Sequence, residues 1–314
     1  MGVQTAHVLS VFDRALGAWA KVPLRPPLAP TLPSPWLGAG PSLPRDQKLS
    51  LVSWNLHAAS PWPVERSAPI IRRFLRAASP PDIVFLQEVA PSVRETLLAD
   101  PRVRARFFAT DTDDGPPSSG VHCATMTLLS AQRFVPPLQR WDAGRMQLAA
   151  VFRVPLLGRA SLGVDVRAAP GAVFRLVNVD LEPCDSWARR ESALRDLGAL
   201  LREPGCAGGV VAGDFNANGP DDPALVPEHG LVDAWDALDG EAGAGVTWGR
   251  WGMHDERELG DDRREERLVP GRHDKVALLA AEPLEMQVTP PGRVRQGGGM
   301  YWSDHCGIRC SFVV

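Results

Sequence analysis

Five short apolar runs in this sequence each meet a polar side chain at one end, and that pattern restricts the fold more than any other feature. Asn55 ends Leu51-Val-Ser-Trp54, and Glu88 ends Ile83-Val-Phe-Leu-Gln87. Asp214, with Asn216 two residues on, ends Val210-Val-Ala-Gly213. Asp274 opens Lys275-Val-Ala-Leu-Leu279, and Asp304 and His305 precede Cys306-Gly-Ile308. Such runs read as buried β-strands. Strands that open into loops at one rim gather functional groups on a rigid scaffold.

Further strands are expected over Val121–Leu129 and Leu148–Val154, with a hairpin of Val164–Arg167 and Phe174–Val179 around Ala168-Ala-Pro-Gly171. Apolar residues recur at helical spacing over Val64–Ala78, Ser92–Leu98 and Trp187–Leu201. In the first of these Arg66, Arg72, Arg73 and Arg76 fall off the apolar face; in the last, Ala188, Leu194, Leu197 and Leu201 form the expected buried stripe. Strands outnumber helices and the helices are interspersed, which suits an α/β layered fold.

The chain of 314 residues is long enough for one large domain or two small ones, and 44% hydrophobic content excludes global disorder. Residues 1–22 have Val8, Val11, Phe12, Leu16 and Trp19 near helical spacing and are expected to form an amphipathic helix. Pro23 through Pro44 form a proline-rich arm. The domain organisation expected is therefore 1–46 as helix and arm, and 47–314 as the folded domain. Residues 250–268, dense in charge of both signs, are expected to be a solvated loop or mobile insertion.

A formal charge of −3 excludes a globally basic nucleic-acid binder and leaves a local basic groove open. The five cysteines have no zinc spacing, and Cys306-x-x-x-Cys310 reads as packing. No apolar stretch approaches the length of a membrane span. Asp13 and Arg14 interrupt any signal-peptide pattern, so an intracellular monomer of cytoplasm or nucleus is expected. A mitochondrial targeting helix over Val8–Val22 stays open, with Asp13 and the scarcity of arginine counting against it.

In extended chain Asp214 and Asn216 present a carboxylate and an amide on one face. The carboxylate can take a proton from water or hold a cation, and the amide can fix it in place. An Asx turn capping the strand is the other reading of the same stretch. The set of strand-end residues holds several oxygen ligands and one imidazole. Such a set suits a hard cation such as magnesium, which keeps waters for a phosphate substrate, better than zinc. A histidine beside an aspartate suits a protonated imidazole that offsets phosphate charge, oriented by a second carboxylate.

Ser53-Trp-Asn-Leu56, Leu86-Gln-Glu-Val89, Gly213-Asp-Phe-Asn216, Arg272-His-Asp-Lys275 and Ser303-Asp-His305 resemble, in order, the motifs of the endonuclease/exonuclease/phosphatase superfamily, which has the deoxyribonuclease I-like fold. The resemblance runs from about Leu49 to the C-terminus. Asp180-Leu-Glu182 followed by a helix bearing arginine and glutamate, Thr247-Trp248 and Arg272-x-Asp-Lys275 lean towards the tyrosyl-DNA phosphodiesterase 2-like branch.

The resemblance implies a four-layer α/β/β/α sandwich of two mixed β-sheets flanked by helices, with one metal-dependent phosphoester site at the sheet rims. It implies that Glu88 binds Mg2+, with Mn2+ a substitute, and that Asn55 and Asp304 lie in the metal and phosphate shell. Asp214 would orient or deprotonate the attacking water, and Asn216 would position phosphate or nucleophile. His305 would stabilise the developing charge, held by Asp274. The partner implied is a phosphoester substrate. Nucleic-acid ends, phosphotyrosyl adducts, inositol phosphates and lipid phosphodiesters all stay open.

One position departs from the pattern: Asp180, in Asn178-Val-Asp-Leu-Glu182, stands where the family often has a phosphate-binding histidine. An aspartate there repels phosphate unless protonated or bound to a cation. Two further readings follow. The chain is a catalytically weakened member that binds nucleic acid or a phosphorylated ligand, or Asp180 points away and His57 serves instead. Trp62, Trp187, Trp248, Trp251 and Trp302 fall in or near the rim loops, where they either stack on a base or aromatic leaving group or pack the loops.

Overall fold

The computed structural model describes residues 4–24, 47–112, 124–137, 145–156, 160–169, 171–181, 187–217, 219, 222–241, 243–250, 270–294 and 300–314. The proline-rich arm beyond Leu24 and the charged stretch beyond Arg250 lie outside the described residues, as do Cys123, Cys184, Glu182 and Trp251.

The chain begins with strands β1 (Thr5–Ala6), β2 (Leu9–Asp13), β3 (Ala18–Lys21) and β4 (Lys48–Asn55). Helix α1 (Pro63–Leu75), strand β5 (Ile83–Val89), helices α2 (Pro91–Ala99) and α3 (Pro101–Arg106) and strands β6 (Phe107–Thr110), β7 (Ala124–Ser130) and β8 (Phe134–Val135) follow. Next come β9 (Met146–Pro155), β10 (Ala160–Ala169), β11 (Ala172–Asp180), α4 (Trp187–Leu200) and β12 (Cys206–Asp214). The last elements are α5 (Asp222–Glu228), β13 (Val232–Asp233), α6 (Ala234–Ala237), β14 (Asp274–Leu279), β15 (Glu282–Thr289) and β16 (Gly307–Val313).

The strands make two eight-stranded sheets. One has the order β1-β9-β10-β11-β12-β14-β13, with β8 beside β9; the other has the order β15-β16-β4-β5-β7-β6-β2-β3. Each contains one parallel pair that matters for the site, β11 with β12 and β4 with β5. Their other neighbours run antiparallel, so both sheets are mixed.

The alternation of side chains along each strand builds the layers. On β5, Ile83 and Phe85 enter a core shared with Val210 and Ala212 of β12, between the two sheets. Val84 and Leu86 face the other way, onto Ile70, Ile71, Phe74 and Leu75 of α1 and Val93 and Leu97 of α2. On β12, Val211 turns outward to Leu194, Leu197 and Leu200 of α4 and Leu225 of α5. These central strands are buried on both faces, which is why they read as unbroken apolar runs. The result is the expected four-layer α/β/β/α sandwich.

Helix α1 stops at Leu75, three residues short of the expected Ala78, with Arg76 at its C-cap. Arg66 is buried rather than solvated, and its Nε donates to the Tyr301 carbonyl at 2.8 Å. On α4, Leu194, Leu197 and Leu201 are buried as expected, whereas Ala188 is exposed and Arg190 takes the inward position. Its guanidinium meets the buried Asp222 at 3.1 and 2.8 Å. Cys306 and Cys310 are both buried, as packing residues.

The expected helix over residues 1–22 is not formed. Phe12 and Trp19 are cross-strand partners in the β2–β3 hairpin, with ring centroids 5.7 Å apart in an edge-on contact. Asp13 Oδ1 accepts from the amides of Ala15 and Leu16, and Gly17 takes a φ of 65°. Asp13 and Gly17 are turn residues, and the β-branched and aromatic residues around them favour strands. The helical spacing was coincidental. β2 pairs β6 in one sheet and β1 pairs β9 in the other, so this segment joins both sheets.

Candidate active site

Because β4 and β5 are parallel, and β11 and β12 likewise, their C-terminal ends emerge at one rim of the stacked sheets. In one sheet Asp180, Asp214 and Asp274 are register partners, a row of aspartates across β11, β12 and β14. In the other, Asn55 pairs with Gln87 at the end of β4, and Glu88 follows on β5. Ser303, Asp304 and His305 lead into β16, next to β4.

Asn55 is fully buried and ties the sheets together. Its Nδ2 donates to Asp214 Oδ2 at 2.9 Å and to Glu88 Oε1 at 3.2 Å. Its Oδ1 accepts from the amide of His57 at 2.9 Å. Glu88 Oε2 accepts from the amide of Ala58 at 3.2 Å. Glu88 and Asn216 have φ values of 49° and 48°, in the left-handed region that few non-glycine residues adopt.

At Asn216 the Asx-turn reading of the sequence is the one realised. Its amide donates to Asp214 Oδ1 at 2.8 Å, which is the Asx turn. The extended geometry expected past Gly213 is not kept, since β12 ends at Asp214. The Asn216 side chain instead donates to the Leu181 carbonyl at 2.8 Å, stapling the loop after β12 to the end of β11.

His305 Nδ1 lies 2.9 Å from Asp274 Oδ2, and its Nε2 lies 3.7 Å from Asp214 Oδ2. The Ser303 hydroxyl donates to the Asn55 carbonyl and accepts from the His305 amide, at 2.8 and 3.0 Å. Thr247 Oγ1 accepts from the Asp274 amide at 2.9 Å. Burial disfavours the imidazolium, yet Asp274, Asp214 and Asp304 outweigh it and hold His305 well above the usual histidine range. Burial pushes Asp214 up to about 8, against the pull of His305 and with Asp274 and Asp180 adding to the rise. Asp304 is held well below the usual carboxylate range, because His305 and His57 overcome its burial. Burial and the neighbouring His305 push His273 down to about 3, so it stays neutral.

Asn55, Glu88, Asp180, Asp214, Asp274 and His305 lie together at the rim, whereas the Asn216 side chain is turned to the Leu181 carbonyl. Asp180 does not point away: one carboxylate oxygen each from Glu88, Asp180 and Asp214 lie within 4.8 Å of one another. Asp214, Asp274 and His305 form a second such group. Asp304 stands in neither, being 3.1 Å from His57 Nδ1 and accepting from Trp248 Nε1 at 3.2 Å. The Glu88, Asp180 and Asp214 set is all oxygen and largely buried, which fits a hard divalent cation.

Several residues that support the site escaped the sequence reading. Gln87 Nε2 donates to Asn178 Oδ1 at 2.7 Å, a fully buried bond between the sheets directly beneath the rim. Gly213 lies against it with a φ of 142°, where a Cβ would overlap the Val179 carbonyl and come within 3.1 Å of Gln87 Nε2. Arg272 holds Asp233 through NH1 at 2.6 and 2.7 Å and Asp236 through NH2 at 2.9 Å. The buried Lys275 reaches Asp233 at 3.1 Å, so the motif residues flanking Asp274 anchor it. Arg272 and Lys275 are visible in the sequence as motif residues, but nothing local points to Asp233.

The tryptophans divide into two kinds. Trp248 stacks on His273 at 4.5 Å, and Trp302 packs against Gly292, so these two are structural. Trp62, 54% exposed, precedes α1, and Trp187, 43% exposed, opens α4.

The sequence model of the Endonuclease/Exonuclease/phosphatase family matches residues 52–305. Solved structures of similar fold include a humanized D. rerio TDP2 carrying 14 mutations, 21% identical with a TM-score of 0.61, covering 85% of this chain and 99% of that one. D. rerio TDP2 complexed with single strand DNA product is 22% identical with a TM-score of 0.60, over the same shares of the two chains. The human Nocturnin catalytic domain with bound sulfate anion is 16% identical with a TM-score of 0.54, covering 85% of this chain and 94% of that one. No curated protein gave a significant match. Among the described residues no helix is long and apolar enough to cross a membrane.

Proposed function

The chain belongs to the endonuclease/exonuclease/phosphatase family, and on that premise we propose that it is a metal-dependent phosphoesterase, hydrolysing a phosphodiester or phosphomonoester by in-line attack of water. The observation that carries this reading is the approach of Asp214, on one sheet, to Asn55 on the other and to the His305–Asp274 pair.

Asp214, in its ionised form, takes the proton of the attacking water as the water oxygen bonds to phosphorus and the leaving P–O bond breaks on the opposite side. Asn55 and the Asn216 amide each hold one Asp214 oxygen and fix its direction. The His305 imidazolium faces the charge that develops on the phosphoryl oxygens, and Asp274 keeps both its charge and its orientation. Glu88 would hold Mg2+, or Mn2+ in its place, with Asn55 and Asp304 nearby, and the ion would supply positive charge to offset that of the phosphate.

The substrate class favoured is a nucleic-acid end or adduct. Trp62, which precedes α1, and Trp187, which opens α4, offer exposed aromatic faces on which a base can stack. One solved structure of this fold, that of D. rerio TDP2, is complexed with single strand DNA product. The test is a panel of nitrophenyl phosphodiesters and monoesters and end-labelled single strands, with Mg2+ or Mn2+. Hydrolysis that disappears in Asp214→Asn and Glu88→Gln supports the reading, and no turnover of any phosphoester defeats it.

A second reading rests on the inward carboxylate of Asp180, which opposes an incoming phosphate. In it the chain is a weakened member that binds nucleic acid or a phosphorylated ligand. A rise in hydrolysis of tenfold or more in Asp180→His would favour it, on the order of one phosphate hydrogen bond.

A further inference from the structure

The segment leading into Asp304 carries a short hairpin that the hydrolytic roles do not use. Residues 292–294 and 300–302 run antiparallel, with Arg293 and Tyr301 as cross-strand partners. The Val294 amide donates to the Met300 carbonyl at 2.7 Å, and the Trp302 amide donates to the Gly292 carbonyl at 2.9 Å. The Arg293 guanidinium lies 4.6 Å from the centre of the Tyr301 ring, and its NH2 donates to the Tyr301 hydroxyl at 2.8 Å. That contact holds the guanidinium and leaves its other N–H donors for an acceptor. Arg293 is exposed and has no carboxylate partner among the described residues.

An exposed aromatic is tied to this hairpin. Arg66 makes the link: its amide donates to the Trp62 carbonyl at 3.1 Å, and its Nε donates to the Tyr301 carbonyl at 2.8 Å. Trp62 stands between Pro61 and Pro63 with a φ of 54°, and its side chain is exposed. A bulky residue keeps a left-handed backbone only where its neighbours fix it, and the two proline rings and the Arg66 amide do so here. The hairpin also borders the rim. Tyr301 leads through Trp302 and Ser303 to Asp304, a reach of at most about 10 Å of extended chain.

We propose that Trp62 and Arg293 form a docking surface for a single nucleic-acid strand running away from the scissile phosphate, the indole stacking on an unpaired base and the guanidinium taking a backbone phosphate. The inference rests on the phosphoesterase reading and names the part of the protein that holds the strand. A strand alternates flat bases with anionic phosphates, and this surface sets an aromatic face beside a cation. Stacking of this kind accepts any base, because every base has a π-face. An indole and a guanidinium already held in place lose little freedom on binding. A duplex fits less well, since its bases are stacked on one another. An anionic lipid surface also fits less well, because it calls for a cluster of basic residues or a broad apolar face. This chain, of net charge −3, sets one exposed indole and one arginine there among the described residues.

The test reads binding of a fluorescein-labelled strand of about twelve deoxythymidines to the full chain in EDTA, where no metal-dependent turnover intervenes. Trp62→Ala is expected to weaken binding about fivefold or more, and Trp62→Phe, which keeps a ring, to retain most of the affinity. Arg293→Gln is expected to flatten the slope of log affinity against log salt by about 0.7, the share of one phosphate contact on a single strand. A blunt duplex of the same length should bind more weakly than the strand. Both side chains are exposed, so the variants should melt with the wild type. Wild-type affinity in Trp62→Ala, an unchanged salt slope in Arg293→Gln, a duplex bound more tightly than the strand, or no binding by the wild type each overturns the proposal. Capture on phosphatidylserine vesicles in place of the strand overturns it as well. None of these outcomes reads hydrolysis. A chain that holds the strand through these residues and cleaves no phosphoester defeats the phosphoesterase reading alone; one that cleaves phosphoesters without these effects defeats the docking surface alone.

Discussion

At Asp214 the requirements of stability and of chemistry oppose one another. Its carboxyl is pushed up from 3.8 to about 8, so the folded metal-free protein binds this proton more tightly than the unfolded chain does. The stability it contributes is present below about pH 4 and is lost as pH rises towards 8. His305, also raised, contributes in the same direction, from its ordinary value of 6.5 upward. Asp304, lowered, has the opposite sign, and its contribution is lost only as pH falls below 3.8. The metal-free protein should therefore melt at a lower temperature at pH 8 than at pH 5. Asp214→Asn should flatten that slope while reducing hydrolysis by ~10²–10⁴-fold, the usual worth of a general base. Melting curves in EDTA across this range check the first outcome, and a slope unchanged in Asp214→Asn would count against the assignment.

Individual strands carry the placement of these groups, and how they do so was only partly visible beforehand. The runs ending at Asn55, Glu88 and Asp214 were readable because their strands are buried on both faces and so lack polar interruptions. What holds the strand ends at their spacing was not readable, because it lies between residues remote in sequence. Gln87 and Asn178 are 91 positions apart, yet they join the two sheets. Replacing Gln87 with Leu leaves buried Asn178 Oδ1 without this donor and should cost about 1–3 kcal/mol. A urea-denaturation cycle with Asn178→Leu should return a coupling of similar size, and additivity would show that the bond is not the link between sheets. Gly213→Ala should cost more, about 3 kcal/mol, because positive φ and overlap with the Val179 carbonyl act together. Both variants should lose activity beyond their loss of stability if the strand ends drift apart, which assays at a temperature where each is fully folded would reveal.

Across the whole molecule, the domain from Gln47 onward was expected from its pattern, and the N-terminal segment was misread. Its apolar spacing imitates a helix, but Asp13 and Gly17 close a turn and cross-strand pairing of Phe12 with Trp19 decides the outcome. The edge strand β15 was also missed, because only one face of it is covered and its sequence is interrupted by Pro283 and Glu285. Since β1 and β2 each pair a strand in a different sheet, we expect that removing residues 1–24 uncovers the edges of β6 and β9. The truncated chain should melt several degrees lower, about 5 °C or more if a few kcal/mol are lost, and an unchanged melting temperature would restore the view of this segment as an appendage. The two sheets so held group Glu88 and Asp180 with Asp214, and group the His305–Asp274 pair with Asp214 as well, an arrangement that fits hydrolysis of a phosphoester. The most direct test is release of nitrophenol from bis(p-nitrophenyl) phosphate by the purified chain with Mn2+, with Asp214→Asn alongside. Turnover by the wild type should stop on chelation and fall ~10²-fold or more in the variant; equal rates in the two proteins would show that Asp214 does not act on the attacking water.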